Sequence, residues 1–297
     1  MQEPLIVSLL DDPSPGKRLA KELGAELAEL ELRSFPDGEA YIRIDTPIEG
    51  RDVILYAALD YPNTKFLPLM FAAETLSDLQ VASIGLVAPY LPYMRQDTRF
   101  RPGEGLTSHF FARQVSRNFD WLVTVDPHLH RIQNLDEIYS IPTKVVASAR
   151  AIASWIGSHV ENPLLVGPDE ESEQWVEAIA KAGGFPKMIL KKDRRGDYDV
   201  KVTGGAAPVR SNQQPVLVDD IISTGRTMVD AWRVLQEYDL SNPICIGIHG
   251  LFVEDARQVL EEAGLTRVVT TNTVTDATND IDIFADLVDG VRDLLES

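Results

Sequence analysis

Short, branched apolar runs recur along this chain, separated by stretches in which apolar and polar positions alternate at helical spacing. In the first half the runs fall at 5–10, 52–56, 82–87 and 121–125. Runs that are apolar at successive positions predict strands buried on both faces, as in a parallel sheet. The intervening segments at 16–23, stopped by Gly24, at 66–79 and at 108–118 predict helices. The second half repeats the alternation, with strands expected at 163–166, 215–218, 243–248 and 267–270 and helices at 170–182, 227–238, 254–263 and 280–295. Strand and helix in alternation predict an α/β fold of two similar domains, each a mainly parallel sheet flanked by helices. The boundary is expected near Ile141-Pro142-Thr143, giving domains 1–142 and 143–279. The last helix, 280–297, is open between the second domain and a return onto the first.

The length of 297 residues agrees with two domains of roughly 140 residues each. With 44% apolar and 25% charged residues, the composition is that of an ordinary folded protein. No apolar run approaches the roughly 18 residues of a membrane span, and the start MQEPLIVSLLDDPSPGKR lacks a signal-peptide pattern. A cytoplasmic protein without a membrane partner is expected. The single cysteine, Cys245, lies in an apolar run and is read as strand packing. A net charge of −18 argues against nucleic acid as a partner. Small anions remain possible substrates, because a local group of cations, backbone amides and a metal ion can hold them against an acidic surface.

The segment Val216-Leu217-Val218-Asp219-Asp220-Ile221-Ile222-Ser223-Thr224-Gly225-Arg226-Thr227 carries the sharpest chemistry. It reads as an apolar strand, two acids, a small hydroxyl and glycine turn, and a helix start. A helix start offers unpaired N–H groups to a phosphate, Gly225 permits close backbone approach, and Thr224 and Thr227 add hydroxyl donors. Asp219 and Asp220 at the carboxyl end of a strand suit ribose hydroxyls or a hydrated cation. The bland reading is a turn with a helix cap.

Other segments are weaker when read alone. Phe35-Pro36-Asp37-Gly38-Glu39 contains Asp-Gly, a hairpin-turn signal. Arg95-Gln96-Asp97 is too short to specify anything by itself. His128 and His130 lack a third histidine or a cysteine cluster, which argues against zinc. Lys191-Lys192-Asp193-Arg194-Arg195 is a basic run that a solvated loop would also explain.

Taken together, the string at 216–227 resembles the phosphoribosyl-diphosphate motif shared by phosphoribosyltransferases and ribose-phosphate pyrophosphokinases. The segments at 33–39, 93–97, 126–133 and 166–169 resemble successive motifs of the pyrophosphokinases, in the order and spacing of that family. The resemblance covers nearly the whole chain, and the segment 99–105 with Asp-Pro-His-Leu-His is most similar to the archaeal-type branch. It implies two phosphoribosyltransferase-like domains and transfer of the β,γ-diphosphoryl group of ATP to the C1 hydroxyl of ribose 5-phosphate, with Mg2+. It also implies a homo-oligomer, at least a dimer, in which Phe35, Asp37 and Glu39 hold the adenine of an ATP bound mainly by a neighbouring subunit. Stacking on Phe35 is the physical basis. Arg95, Gln96, Asp97 and His128 would line the nucleotide site, and His128 and Asp169 would be the magnesium-associated residues, Asp169 through oxygen. Lys192 and Arg194 would stabilise the diphosphoryl group in transit. Asp219 and Asp220 would grip the ribose, while Ser223, Thr224, Gly225, Arg226 and Thr227 hold its 5-phosphate.

The sequence departs from the family at the diphosphate loop, where Glu170-Glu171-Ser172 replace small residues. A like-charge contact at about 4 Å costs on the order of 4 kcal/mol at an effective dielectric of about 20. An additional cation, or side chains turned along the next helix, would offset it. Arg226 stands where a small residue is usual and Ser223 where Asp is common. These departures sustain a second reading, a catalytically weak or inactive nucleotide- or phosphate-binding homologue that regulates an active partner. A third, a true phosphoribosyltransferase, leaves the segments at 35–39 and 95–97 unexplained.

Overall fold

The computed structural model describes residues 3–9, 12–192, 198–201 and 210–296. The chain forms two compact units, Met1–Val146 with Phe284–Ser297, and Ala147–Ile283.

In the N-terminal unit the elements are β1 (Leu5–Ser8), α1 (Ser14–Leu23), β2 (Glu26–Leu27), β3 (Leu30–Ser34), β4 (Ala40–Ile44), β5 (Asp52–Tyr56), α2 (Pro62–Asp78), β6 (Ser83–Val87), α3 (Thr107–Asn118), β7 (Trp121–Val125) and β8 (Thr143–Val146). A parallel sheet in the order β2-β1-β5-β6-β7-β8 forms the centre. Leu5, Val7, Leu55, Leu86 and Leu122 from the strands pack with Leu69, Leu76, Phe111 and Val115 from the helices. Fully burying one such side chain contributes roughly 1.5–3 kcal/mol. The apolar runs are strands because both faces are covered. The antiparallel pair β3 and β4 forms a separate hairpin. Because β8 pairs with β7, the chain leaves this unit after Val146 rather than at Pro142.

The C-terminal unit contains α4 (Ala149–His159), β9 (Pro163–Gly167), α5 (Glu173–Gly183), β10 (Lys187–Lys192), β11 (Tyr198–Lys201), β12 (Gln214–Ile222), α6 (Arg226–Leu235), β13 (Ile244–Gly250), α7 (Ala256–Glu262), β14 (Arg267–Thr271) and β15 (Asn279–Ile281). Its sheet runs β11-β10-β9-β12-β13-β14-β15 and is parallel except for β11. Leu164, Val166, Leu217, Met228, Trp232, Cys245 and Leu260 share one core cluster. Burial pushes the Cys245 thiol up to about 12, which leaves it a packing residue.

Two expected helices start three or more residues later than their apolar pattern. The 170–182 helix begins at Glu173, because Asp169 and Ser172 close a turn first. The 280–295 helix begins at Phe284, because Asn279–Ile281 is drawn into the sheet as β15. That helix, α8 (Phe284–Leu295), belongs to the N-terminal unit, where it packs on β7, β8 and α1. Gly290 allows the contact, since a Cβ there would come within 2.7 Å of Val146 Cγ2.

Candidate functional site

In the C-terminal unit, β12 outruns its neighbour. Its pairing with β9 ends at Leu217 opposite Val166, while its pairing with β13 continues to Ile222 opposite Gly250. Asp219 and Asp220 therefore lie inside the strand, near the carboxyl end where the sequence reading put them, and not in the turn of the bland reading. They occupy the stretch that overhangs the carboxyl end of β9, where ligands of open parallel sheets bind. Asp220 is only 4% exposed, and Asp219 is half-buried. The Asp220 N–H donates to Asp219 Oδ1 at 3.0 Å. Burial, together with the charges of Asp220 and Asp169, holds the Asp219 carboxyl well above the usual carboxylate range. Three acids thus share one negative field, and a divalent cation would relieve it.

Asp169 is fixed by the turn that follows β9. The Ser172 N–H donates to Asp169 Oδ1 at 3.0 Å, and the Ser172 hydroxyl donates to the Asp169 carbonyl at 2.7 Å. Ser172 is fully buried. Gly167 makes room for this turn, as a Cβ there would lie 2.6 Å from both Ile189 Cδ1 and Ser172 Oγ. Exposed Glu170 forms an ion pair with Lys191 of β10. Among the described residues no group of three His, Cys, Asp or Glu side chains is arranged to hold a metal ion unaided. Magnesium does not need one, since it keeps waters and is bound through one or two carboxylates plus substrate phosphates. The acids at 169, 219 and 220 fit that manner of binding.

The turn Ser223–Gly225 closes the overhang. Gly225 has φ 73°, and a Cβ there would lie 2.8 Å from Leu260 Cγ, so both conformation and space call for glycine. The Val253 N–H donates to the Ser223 carbonyl at 3.1 Å, tying the turn to the segment before α7. Helix α6 begins at Arg226 without a side-chain cap, leaving its first N–H groups to a ligand. Ser223 and Thr224 are half-buried, and Arg226 and Thr227 are exposed. The bulk of Arg226 therefore lies outside the packed interior of the turn.

In the N-terminal unit, Phe35 to Glu39 is the hairpin turn that Asp-Gly foretells. The Phe35 N–H donates to the Glu39 carbonyl at 2.7 Å, and the Glu39 N–H to Asp37 Oδ1 at 3.2 Å. Phe35 is 40% exposed, with the Arg33 guanidinium 4.8 Å from its ring and 4.1 Å from that of Tyr41. The turn thus presents a braced aromatic face.

Arg95 is exposed, and its two followers serve the local architecture. Gln96 Oε1 accepts from the Thr107 hydroxyl at 3.0 Å, and its carbonyl accepts from the Ser108 hydroxyl at 2.9 Å. Asp97 accepts from the Arg131 N–H at 3.1 Å and from the Arg131 guanidinium at 2.9 Å. His128 is half-buried and His130 exposed, after Asp126, which holds φ 31° at the end of β7. Lys192 closes β10, and Arg194 lies outside the described residues. Arg131, Lys191 and Ser172 had no assigned role in the sequence. The first two were visible only as members of charged motifs.

Two family models match: the N-terminal domain of ribose phosphate pyrophosphokinase over residues 5–117, and the phosphoribosyl transferase domain over residues 134–283. A ribose-phosphate pyrophosphokinase of Sulfolobus acidocaldarius is 33% identical over 271 residues, covering 90% of this chain and 92% of that protein. One from Methanopyrus kandleri is 29% identical, covering 94% and 95%. The crystal structure of phosphoribosylpyrophosphate synthetase from Mycobacterium smegmatis superposes with a TM-score of 0.87 at 25% identity, covering 99% of each chain.

Proposed function

The chain belongs to the ribose-phosphate pyrophosphokinase family, and on that premise we propose that it transfers the diphosphoryl group of ATP to the C1 hydroxyl of ribose 5-phosphate. The C1 oxygen attacks the β-phosphorus, the bond from that phosphorus to the bridging oxygen of the α-phosphate breaks, and AMP leaves. The hydroxyl proton passes to solvent, since a loose phosphoryl-transfer transition state asks little of a base.

The observation that carries this reading is the overhang of β12, where Asp219 and Asp220 stand before a glycine-forced turn and an uncapped helix start. In this reading Asp219 and Asp220 accept hydrogen bonds from the ribose hydroxyls. The 5-phosphate sits against Ser223, Thr224 and Thr227 and the first N–H groups of α6, with Arg226 adding charge from outside. Asp169 would hold magnesium through oxygen and His128 would act on it through water, and the ion would supply positive charge to neutralise the phosphates. Lys192 and Arg194 stabilise the charge on the diphosphoryl group in transit. Arg95 is the forked donor for the nucleotide phosphates. Gln96 and Asp97 shape the nucleotide site through the helix start and Arg131 that they hold.

Phe35, Asp37 and Glu39 receive the adenine of an ATP held by a neighbouring copy. The exposure of Phe35 supports that reading, as do the exposed Leu67 and Phe71 of α2 and Phe110 of α3, which offer apolar surface to a homo-oligomer. No described helix is long and apolar enough to cross a membrane, and a cytoplasmic location fits the substrates. The regulatory reading rested in part on repulsion by Glu170 and Glu171, and the pairing of Glu170 with Lys191 weakens that part of its basis.

The test is phosphorus NMR of the protein with ATP, ribose 5-phosphate and magnesium. AMP and 1-diphosphorylated ribose 5-phosphate appearing together at a magnesium-dependent rate is the expected result. Neither product from a folded sample overturns the proposal.

A further inference from the structure

The acidic diphosphate loop brings its own counter-charge. We propose that Lys191 is a positioning residue for this reaction: it draws Glu170 aside from the diphosphate and so keeps the Asp169 turn open to an anion. The inference rests on the function proposed above.

The geometry fixes the backbone around Glu170, since Asp169 and Ser172 hold each other through three hydrogen bonds and Ser172 is fully buried. The register of the sheet aims Lys191 at the same place. Ile189 pairs with Gly167, and its Cδ1 reaches the space that a Gly167 Cβ would fill, next to Ser172 Oγ. Strand residues two apart share a face, so Lys191 continues that face past the end of β9 and over the turn. There its ammonium meets the Glu170 carboxylate, and the contact favours the charged lysine.

Stability does not account for the pair. The Lys191 side chain is 34% exposed and that of Glu170 60%, and ion pairs so open to water add little to folding. Their placement is what matters, because Asp169, Asp219 and Asp220 already crowd this region with negative charge. A freed Glu170 would add to that field where a diphosphate has to enter. Lys191 is also next to Lys192, so the same contact links the turn after β9 to the strand that leads into the basic run.

The proposal predicts a split between binding and turnover. Lys191→Met should raise the KM for magnesium-ATP about tenfold, the size of one partly screened charge contact, with kcat changed less than twofold and the melting temperature unchanged. Lys191→Arg should retain the wild-type KM. Adding Glu170→Gln to Lys191→Met should restore it to within about twofold, because the carboxylate that needed a partner is gone. Disturbance of the neighbouring Lys192 would instead lower kcat and would not be rescued at position 170. An unchanged KM in Lys191→Met, or no rescue by Glu170→Gln, overturns the proposal. Wild-type protein that makes no product overturns the functional reading instead. Calorimetric binding of magnesium diphosphate to the wild type, Lys191→Met and the double variant then decides the role of Lys191 by the same pattern.

Discussion

Asp97 and Arg131 bind each other at two points, the backbone N–H and the guanidinium of Arg131 each donating to a different oxygen of the same carboxylate, at 3.1 and 2.9 Å. The pair joins the segment after β6 to the loop after β7 that carries His128. The Asp97 side chain is 4% exposed and that of Arg131 45%. Truncating Arg131 therefore leaves a nearly buried carboxylate with one partner fewer, at a cost of about 1–3 kcal/mol. Arg131→Ala should lower stability in urea by that amount and weaken ATP binding. Asp97→Asn, which keeps one acceptor for the N–H, should cost less. Equal stability of Arg131→Ala and wild type would show that the pair does not hold the loop.

The raised carboxyl of Asp219 sets a pH dependence whose sign is opposite to that of an ordinary ion pair. A carboxyl whose folded pKa is raised binds its proton more tightly in the folded state than in the unfolded one. Ligand-free protein should then lose stability as pH rises from about 4, the unfolded value, through the raised folded value. Cation binding at these acids opposes that loss. Magnesium should raise the melting temperature by several degrees at about pH 8 and by little at about pH 5. In Asp219→Asn the stabilisation by magnesium should lose most of this pH dependence. An equal magnesium effect at both pH values in the wild type would remove the acids at 169, 219 and 220 as its binding place.

Gly225 has two independent reasons to be glycine, and they can be separated. Alanine there meets the penalty of positive φ, about 1–2 kcal/mol, and also pushes against Leu260. Gly225→Ala should lower stability by at least that penalty and raise the KM for ribose 5-phosphate far more than that for ATP. Adding Leu260→Ala relieves the crowding but not the backbone strain, so ribose 5-phosphate binding should stay impaired. Full recovery in the double variant would mean that crowding alone matters.

Much of the fold was legible because buried parallel strands advertise themselves. Runs such as Val53-Ile54-Leu55 and Val216-Leu217-Val218 are apolar at every position, since helices cover both faces. β10 was missed because only Met188, Ile189 and Leu190 are apolar before the strand runs out into Lys191 and Lys192. Helix α4 was missed although Ile152, Ala153, Trp155 and Ile156 mark its buried face. At the site, contiguous motifs such as Asp219-Asp220 and Ser223-Thr224-Gly225 could be read directly. Lys191 with Glu170, and Arg131 with Asp97, join residues 21 and 34 positions apart. No local spacing encodes such pairs, and only the register of the sheets brings them together.

The same limit applies to Phe35, whose exposed ring on a braced hairpin meets Arg33 and Tyr41 of that hairpin. Phe35→Ala removes the stacking surface without touching a core residue. It should raise the KM for ATP by about tenfold, the scale of one aromatic stacking contact, with the melting temperature unchanged. Arg33→Ala, which frees the ring to turn, should produce a smaller rise. If the adenine is bound against Phe35 of a neighbouring copy, a mixture of two impaired variants decides the matter. Phe35→Ala subunits keep an intact Asp220, and Asp220→Asn subunits keep an intact Phe35, so a mixed oligomer contains some complete sites. Co-refolded variants should regain activity above that of either alone. If both elements serve the same chain, every site in the mixture carries one defect and activity should equal the average of the two.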